Sequence, residues 1–109
     1  MHIDHNDFVS GINEKRKITL SFYSKEDGSV LIRTCAPMDF GPSRRVLNDI
    51  NRYHFWDYDS DEQRHNLSLK AEQIVNIELT EDCFDPSEFI TWDLIKSPWF
   101  LKRDWGRWS

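Results

Sequence analysis

Hydrophobic and polar residues alternate along several short stretches of the chain, and a period of two residues predicts β-strands with one buried face. The first stretch places Ile18 and Leu20 on the same face. Alternation of this kind predicts five strands, near residues 17–24, 29–36, 51–58, 65–69 and 74–80. Asp27-Gly28 predicts a hairpin turn between the first two strands, because this pair tolerates positive φ. Pro37 is predicted to end the second strand, because proline cannot donate to the strand ladder.

The densest aromatic segment is RYHFWDYD at 52–59, which carries four aromatic rings and a histidine in six consecutive positions. An amphipathic surface helix is excluded, because the rings would point in every direction around its axis. A strand has two faces: Tyr53, Phe55 and Asp57 lie on one, and His54, Trp56 and Tyr58 on the other. Since both faces carry rings, we expect a central strand with packing on both sides.

Two helices are predicted outside the strands. Residues 4–14 form a helical pattern, with Asp4 as the expected cap and Phe8 and Ile12 on one stripe. Asp85-Pro86-Ser87-Glu88 combines a capping side chain, proline at the first helical position and glutamate at the third, which predicts a helix over 86–96. The tail that follows, 99–108, is aromatic and basic, and it holds three of the five tryptophans.

These elements predict an α+β fold that is mainly β. A sheet of five short antiparallel strands hides its edges best by curling, so we expect a small SH3- or Sm-like barrel. At 109 residues the chain is expected to be one domain. Its parts are an N-terminal helix at 1–16, the barrel at 17–84, and a short C-terminal helix with an aromatic tail at 85–109.

Composition narrows the classes of function. A net charge of −5 argues against a nonspecific grip on nucleic acid over the whole surface, although residues 96–109 carry four basic residues and one acidic one. No apolar run approaches the roughly 20 residues of a membrane span, and the N-terminus is polar, so we expect a cytoplasmic protein. Cys35 and Cys83 lie outside any CxxC pattern, which predicts two reduced thiols and no disulfide.

Two groups of residues resemble metal sites but fail the tests for one. His2, Asp4, His5 and Asp7 could be drawn as a cluster, yet terminal histidines are usually solvated and nothing supplies supporting hydrogen bonds. The alternating aspartates from Asp57 place glutamate and serine where a calcium loop needs glycine and a bidentate glutamate. We therefore expect no metal and no cofactor.

No catalytic motif is present: the chain has no Gly-rich phosphate loop, no GxSxG and no HExxH. His54 and His65 could lie on neighbouring strands near Asp57, which would allow a general base. Histidines within sheets are more often structural, so the protein is predicted not to be an enzyme.

The central part of the chain carries a set of spaced residues: Tyr23-Ser24, Asp27-Gly28, Arg33, Pro37, Tyr53-His54-Phe55, Leu67-Ser68-Leu69, Gln73-Ile74 and Phe84. On these residues, over roughly 8–86, the chain resembles a divergent, stand-alone WYL domain. WYL domains are small SH3- or Sm-like five-stranded barrels, found mostly in bacterial transcriptional regulators and in proteins tied to phage and CRISPR defence. Tyr53-His54-Phe55 stands in place of the signature Trp-Tyr-Leu, and Gln73 stands where the family usually has an arginine.

The resemblance implies a regulatory module that senses a nucleotide or a nucleic-acid-like ligand. The residues expected to stack a base and meet a phosphate are Arg33, Arg52, Tyr53, His54 and Tyr58, with Arg44 and Arg45 as further candidates. Guanidinium groups suit a phosphate because they donate two parallel hydrogen bonds.

The alternative is an interaction module that binds another protein or a second copy of the chain. Its candidate residues are Trp99, Trp105, Arg107 and Trp108, because Trp and Arg are enriched in binding hot spots. The tail either packs over the barrel in cis or docks onto a partner. In both cases at least two of its three tryptophans are expected to be mostly buried, because a solvated tail would expose a large apolar patch.

Overall fold

A computed structural model describes residues 1–43, 50–60 and 65–109. The elements are α1 (His5–Glu14), β1 (Arg16–Ser24), β2 (Ser29–Pro42), β3 (Asn51–Asp57), β4 (Asn66–Leu69) and β5 (Ile74–Cys83), with single 3-10 turns at Ala71–Gln73, Pro86–Glu88 and Gly106–Trp108. The fold is α+β and mainly β, as predicted. Among the described residues, no helix has the length and apolar character needed to cross a membrane.

The five strands form one antiparallel sheet in the order β4-β3-β2-β1-β5. The sheet is not closed, so the expected barrel is corrected to an open, five-stranded sheet. The N-terminal segment covers the edge of β5 instead. The Asp4 carboxylate accepts a hydrogen bond from the Ile77 N–H at 2.9 Å, and His2 Nε2 donates to the Ile74 carbonyl at 2.9 Å. The Asp4 side chain therefore binds the edge of the sheet. It does not cap α1, in contrast to the prediction.

β2 is longer than the sequence pattern predicts, because Pro37 does not end it. The strand continues to Pro42, and its pairing with β3 shifts register between Pro37 and Asp39. A bulge leaves one residue of a ladder unpaired, so the missing N–H of proline is tolerated there. Pro37 packs against α1, where a Cβ added to Gly11 would come within 2.9 Å of the Pro37 ring.

The predicted C-terminal helix at 86–96 is wrong beyond its first turn. Asp85 and Glu88 form the expected capping box around Pro86, but the helical turn ends at Glu88. Phe89 and Ile90 are consecutive and both buried. A helix would turn neighbouring side chains about 100° apart, whereas the irregular chain lets both reach the apolar interior.

β3 is the central aromatic strand that the sequence predicts. Tyr53, Phe55 and Asp57 face inwards and are buried, and Phe8 of α1 meets the rings of Tyr53 and Phe55 edge-on at 5.0 and 5.3 Å. On the other face the Trp56 ring stacks on Phe89 at 5.8 Å. The N-terminal helix thus covers one face of the strand, and the C-terminal segment covers the other.

Cys35 is buried in β2 and Cys83 is exposed in β5, and neither forms a disulfide among the described residues. Burial, together with the negative charge of Asp57, raises the pKa of the Cys35 thiol. Because the thiolate is the reactive form, a thiol reagent at neutral pH should modify Cys83 rapidly and Cys35 only after unfolding. Two rapidly reacting thiols in the native protein would contradict this burial of Cys35.

Candidate functional site

A buried ion pair fastens the C-terminal tail to the bulge of β2. The Asp39 carboxylate, in a residue only 6% exposed, lies 3.2 Å from Nη2 of Arg103, whose side chain is fully buried. Asp39 also accepts the backbone N–H groups of Phe100 and Leu101, at 2.9 and 3.0 Å. We call Asp39, Arg103 and these contacts the tail clasp.

The Arg103 guanidinium is enclosed on several sides. It donates to the carbonyls of Met38 and Leu101. Its carbon lies 3.9 Å from the ring centre of Trp99 and 4.5 Å from that of Trp105. Burial lowers the pKa of Arg103 to about 10, while the Asp39 charge acts in the opposite direction. The group therefore stays charged at neutral pH, held by hydrogen bonds and aromatic faces.

The tail packs in cis. Trp105 is 3% exposed and donates from Nε1 to the Ile12 carbonyl at 2.7 Å, while Trp99 and Trp108 are partly buried. Trp99 Nε1 donates to the Trp108 carbonyl at 2.8 Å. The predicted burial of at least two tail tryptophans is thus met within the chain. Arg107 stays exposed, with its guanidinium 4.9 Å from the Trp108 ring.

By fastening the tail there, the clasp creates a cleft of about 490 Å³ between the tail and the outer face of β3 and β4. We call it the tail cleft. Its lining comprises Met38, Asp39, Pro42, Ser43, Arg52, His54, Asn66, Leu67, Ser68, Trp92, Ser97, Pro98, Trp99 and Phe100. The volume lies within the range of small-molecule sites, and the mixture of apolar walls with a few polar groups is typical of them.

Arg52 is the cation of the tail cleft that has an unused donor. It lies on the outer face of β3, two residues from His54, so both side chains point to the same side of the strand. The Arg52 Nε is buried and has no hydrogen-bond partner among the described residues. A buried donor without a partner is costly, so this position favours an acceptor that the described residues do not supply.

His54 is held in place at both ring nitrogens. Nε2 donates to the Gly41 carbonyl at 2.9 Å, and Nδ1 lies 2.8 Å from the Ser68 hydroxyl. Because a carbonyl can only accept, Nε2 carries the proton, and Nδ1 of the neutral ring accepts from Ser68. His54 therefore offers a fixed ring to the tail cleft and no spare nitrogen.

Aromatic rings form the tail side of the cleft. Trp92 and Trp99 meet edge-on at 5.5 Å. Phe100 packs directly over Gly41, where an added Cβ would come within 2.4 Å of the Phe100 ring. Glycine at position 41 thus allows this close approach, and Phe100 remains 45% exposed at the edge of the cleft.

The structure separates the residues predicted to bind a ligand. Arg52 and His54 line the tail cleft, but Tyr53 lies on the opposite face of β3 and is fully buried. The Tyr53 hydroxyl accepts a hydrogen bond from the His2 N–H at 3.0 Å and donates one to His5 Nδ1 at 2.8 Å. Burial raises the pKa of Tyr53. His2 and His5, which the sequence predicts to be solvated, are therefore hydrogen-bonded to a residue of the core.

Arg33 and Tyr58 also lie outside the tail cleft. The Tyr58 hydroxyl is buried without a well-formed hydrogen bond to any residue that the structure describes, and its pKa is raised by burial and by the nearby Glu88 charge. Arg33 faces a separate cleft beside the β1–β2 hairpin, with its Nε 3.7 Å from the Asp57 carboxylate. Burial raises the pKa of Asp57. The further candidates Arg44 and Arg45 lie outside the described residues.

Comparison with known proteins concerns the fold. No protein-family model and no curated protein matches the chain. A solved structure of proteasome accessory factor B/C (PafBC) from Arthrobacter aurescens matches with a TM-score of 0.61 and 13% identity over 82% of this chain. At this identity the likeness concerns the fold alone, and it favours a WYL-like fold. The match covers 13% of PafBC, so this chain corresponds to a small part of that protein.

Three residues that build the tail cleft are not predicted from the sequence: Asp39, Arg103 and Phe100. Asp39 lies two residues after Pro37, the predicted end of β2, and Arg103 is one of several cations in the tail. The available signal was an acidic residue flanked by Met38 and Phe40, which places a carboxylate among apolar neighbours. Such a charge needs a buried partner, and the basic tail is the part of the chain richest in cations relative to acids.

Proposed function

We propose that this protein is a non-catalytic binding module whose tail cleft takes a nucleotide-like ligand, with a planar base and a phosphate. The observation that carries the proposal is the buried, unpartnered Nε of Arg52 in that cleft. Arginine suits phosphate because its guanidinium donates two parallel, charge-assisted hydrogen bonds. A bound phosphate oxygen would supply the acceptor that the described residues do not.

The aromatic wall supports a planar base as the other part of the ligand. Stacking of a base on an aromatic side chain is worth about 1–3 kcal/mol and tolerates any base. Trp92 and Phe100 offer rings on the tail side, and His54 offers a fixed ring on the strand side. The ligand would therefore lie between the tail and β3, with its phosphate towards Arg52.

The arrangement around the histidines supports binding without catalysis. Both ring nitrogens of His54 are engaged within the chain, so neither can transfer a proton to a ligand without breaking a contact. His65 Nδ1 pairs with the Asp57 carbonyl at 2.7 Å, and its ring stacks on Trp56 at 4.8 Å. Within the described part of the chain, no hydrogen bond joins His54 or His65 to the Asp57 carboxylate.

A regulatory role fits the WYL-like fold, which this chain shares with a part of PafBC. We propose that the module reports the ligand through the tail, because one side of the cleft is tail and the other is sheet. A ligand that contacts both would stabilise the docked tail by mass action. The reporting surface would then be the tail and its surroundings.

Replacing Arg52 with methionine should weaken binding of a nucleoside monophosphate by roughly 10- to 100-fold. The reason is the loss of charge-assisted hydrogen bonds worth about 1.5–3 kcal/mol. Calorimetric titration with adenine and guanine mononucleotides measures the change. Separate titrations with the free nucleoside and with inorganic phosphate measure how much the base and the phosphate each contribute to the affinity.

Two matched variants locate the site. Arg107→Met removes the same charge from an exposed position outside the tail cleft and should leave the affinity unchanged. Arg33→Met tests the cleft beside the hairpin. If Arg33→Met weakens binding and Arg52→Met does not, the ligand lies beside the hairpin and the proposed site is wrong.

A further inference from the structure

The outer edge of β4 presents unused backbone groups. Antiparallel strands alternate between hydrogen-bonded and non-hydrogen-bonded pairs. The Asp57 N–H donates to the His65 carbonyl at 2.7 Å, which makes 57 and 65 a bonded pair. In the register that follows, Leu67 and Leu69 bond to β3, while Asn66 and Ser68 point their N–H and C=O groups away from it.

Apart from its short length of four residues, this edge shows, in the part of the chain that the structure describes, none of the other protection that natural edge strands carry. Such strands usually bear charged residues, proline or a bulge, or are covered by another segment. β4 is Asn-Leu-Ser-Leu, without charge or proline, and its pairing with β3 shows no register shift. At the other edge of the sheet, Asp4 and His2 occupy backbone groups of β5. Among the described residues, no segment does the same for β4.

We propose that β4 pairs with β4 of a second copy of this chain, in antiparallel register about a two-fold axis at Leu67. That register places Asn66 of one copy opposite Ser68 of the other. Both residues point their backbone groups outwards, so four N–H to C=O bonds can form across the axis. A contact related by a two-fold axis must be self-complementary, and this strand meets that condition. Its lack of charge also spares the pairing direct repulsion, although each chain carries a net charge of −5.

The pairing has a consequence for the tail cleft. Residues opposite each other in a sheet point to the same face, and the side chains of Asn66 and Ser68 line the cleft. The two tail clefts of a dimer would therefore open on one face of a continuous sheet. Asn66 and Ser68 of the other copy would lie beside each tail cleft. The proposal does not rest on Arg52 or on any ligand, and it is tested without one.

The test combines light scattering of the purified full chain with amide hydrogen exchange, both over a range of protein concentrations. We expect a dimer whose formation slows exchange of the Asn66 and Ser68 amides. The Leu67 and Leu69 amides bond to β3 and serve as the internal control, since they should be protected at every concentration. Asn66→Pro removes an outward N–H that β3 does not use, and it should raise the dimer dissociation constant roughly tenfold or more.

Asn66→Ala keeps the N–H and should dimerise like the unmodified chain. If Asn66→Pro does not fold, Asn66→Lys tests the same edge, because a lysine there disfavours pairing. A monomer at all concentrations would overturn the proposal and leave the edge open to a strand of another protein. A dimer with unprotected Asn66 and Ser68 amides would overturn it too, because the contact would then lie elsewhere.

Discussion

Replacing Arg103 with methionine is expected to reduce the free energy of unfolding by about 3–5 kcal/mol. Removing one partner of a buried ion pair leaves the other charge buried without compensation. Here the Asp39 carboxylate would keep its hydrogen bonds from two backbone N–H groups of the tail but would lose the guanidinium. The Met38 and Leu101 carbonyls would lose their donor as well.

Thermal and urea denaturation measure this loss, and a drop in Tm of roughly 10–20 °C is expected for a domain of this size. Arg103→Lys should recover only part of it, because an ammonium cannot span the Met38, Asp39 and Leu101 oxygens as a planar guanidinium does. Arg107→Met is the control for loss of a tail cation. If Arg103→Met and Arg107→Met melt within a few degrees of each other, the tail clasp does not hold the fold.

Ending the chain at Pro98 is expected to leave the protein largely unfolded at 25 °C. The deletion removes Trp105 from the core, and loss of a buried Trp side chain alone costs about 3–5 kcal/mol. It also removes Arg103 and uncovers Phe84 and Phe89, which meet the Trp105 ring at 5.5 and 6.3 Å. The sum approaches the roughly 5–15 kcal/mol by which most domains are stable.

Circular dichroism of the shortened chain tests this result. Trp105→Phe is the milder companion, because it keeps an aromatic ring in the core and removes the hydrogen bond to Ile12. A shortened chain that melts like the full one, together with complete iodide quenching of Trp fluorescence in the full chain, would show that the tail is a free arm.

The strands could be predicted from the sequence because their signals are local. The alternation of hydrophobic and polar residues, together with the Asp27-Gly28 turn, predicts β1, the start of β2 and the inward and outward faces of β3. The failures came from contacts between distant segments. β2 continues past Pro37 because α1 and a bulge accommodate the proline ring. The predicted helix at 86–96 does not form beyond its first turn because Phe89 and Ile90 both reach the core.

The candidate site could be predicted only in part. Alternation placed His54 on the face opposite Tyr53, yet both were assigned to the ligand, because sequence alone does not show which face the N-terminal helix covers. The pairing of Asp39 with Arg103 spans 64 residues and has no local pattern. The tail cleft exists only where those distant segments meet, so no local pattern of residues indicates it.

The most direct test of the tail cleft as a ligand site is the Arg52 Nε–H signal in a proton–nitrogen correlation spectrum, followed during titration with a nucleoside monophosphate. Its absence in Arg52→Lys assigns it. We expect this signal to shift and to exchange more slowly with water as the ligand binds, because the buried donor gains an acceptor. The Arg103 Nε–H, already bonded to the Leu101 carbonyl at 3.2 Å, should stay unchanged. An Arg52 signal that does not move during the titration would show that Arg52 does not bind the phosphate in the tail cleft.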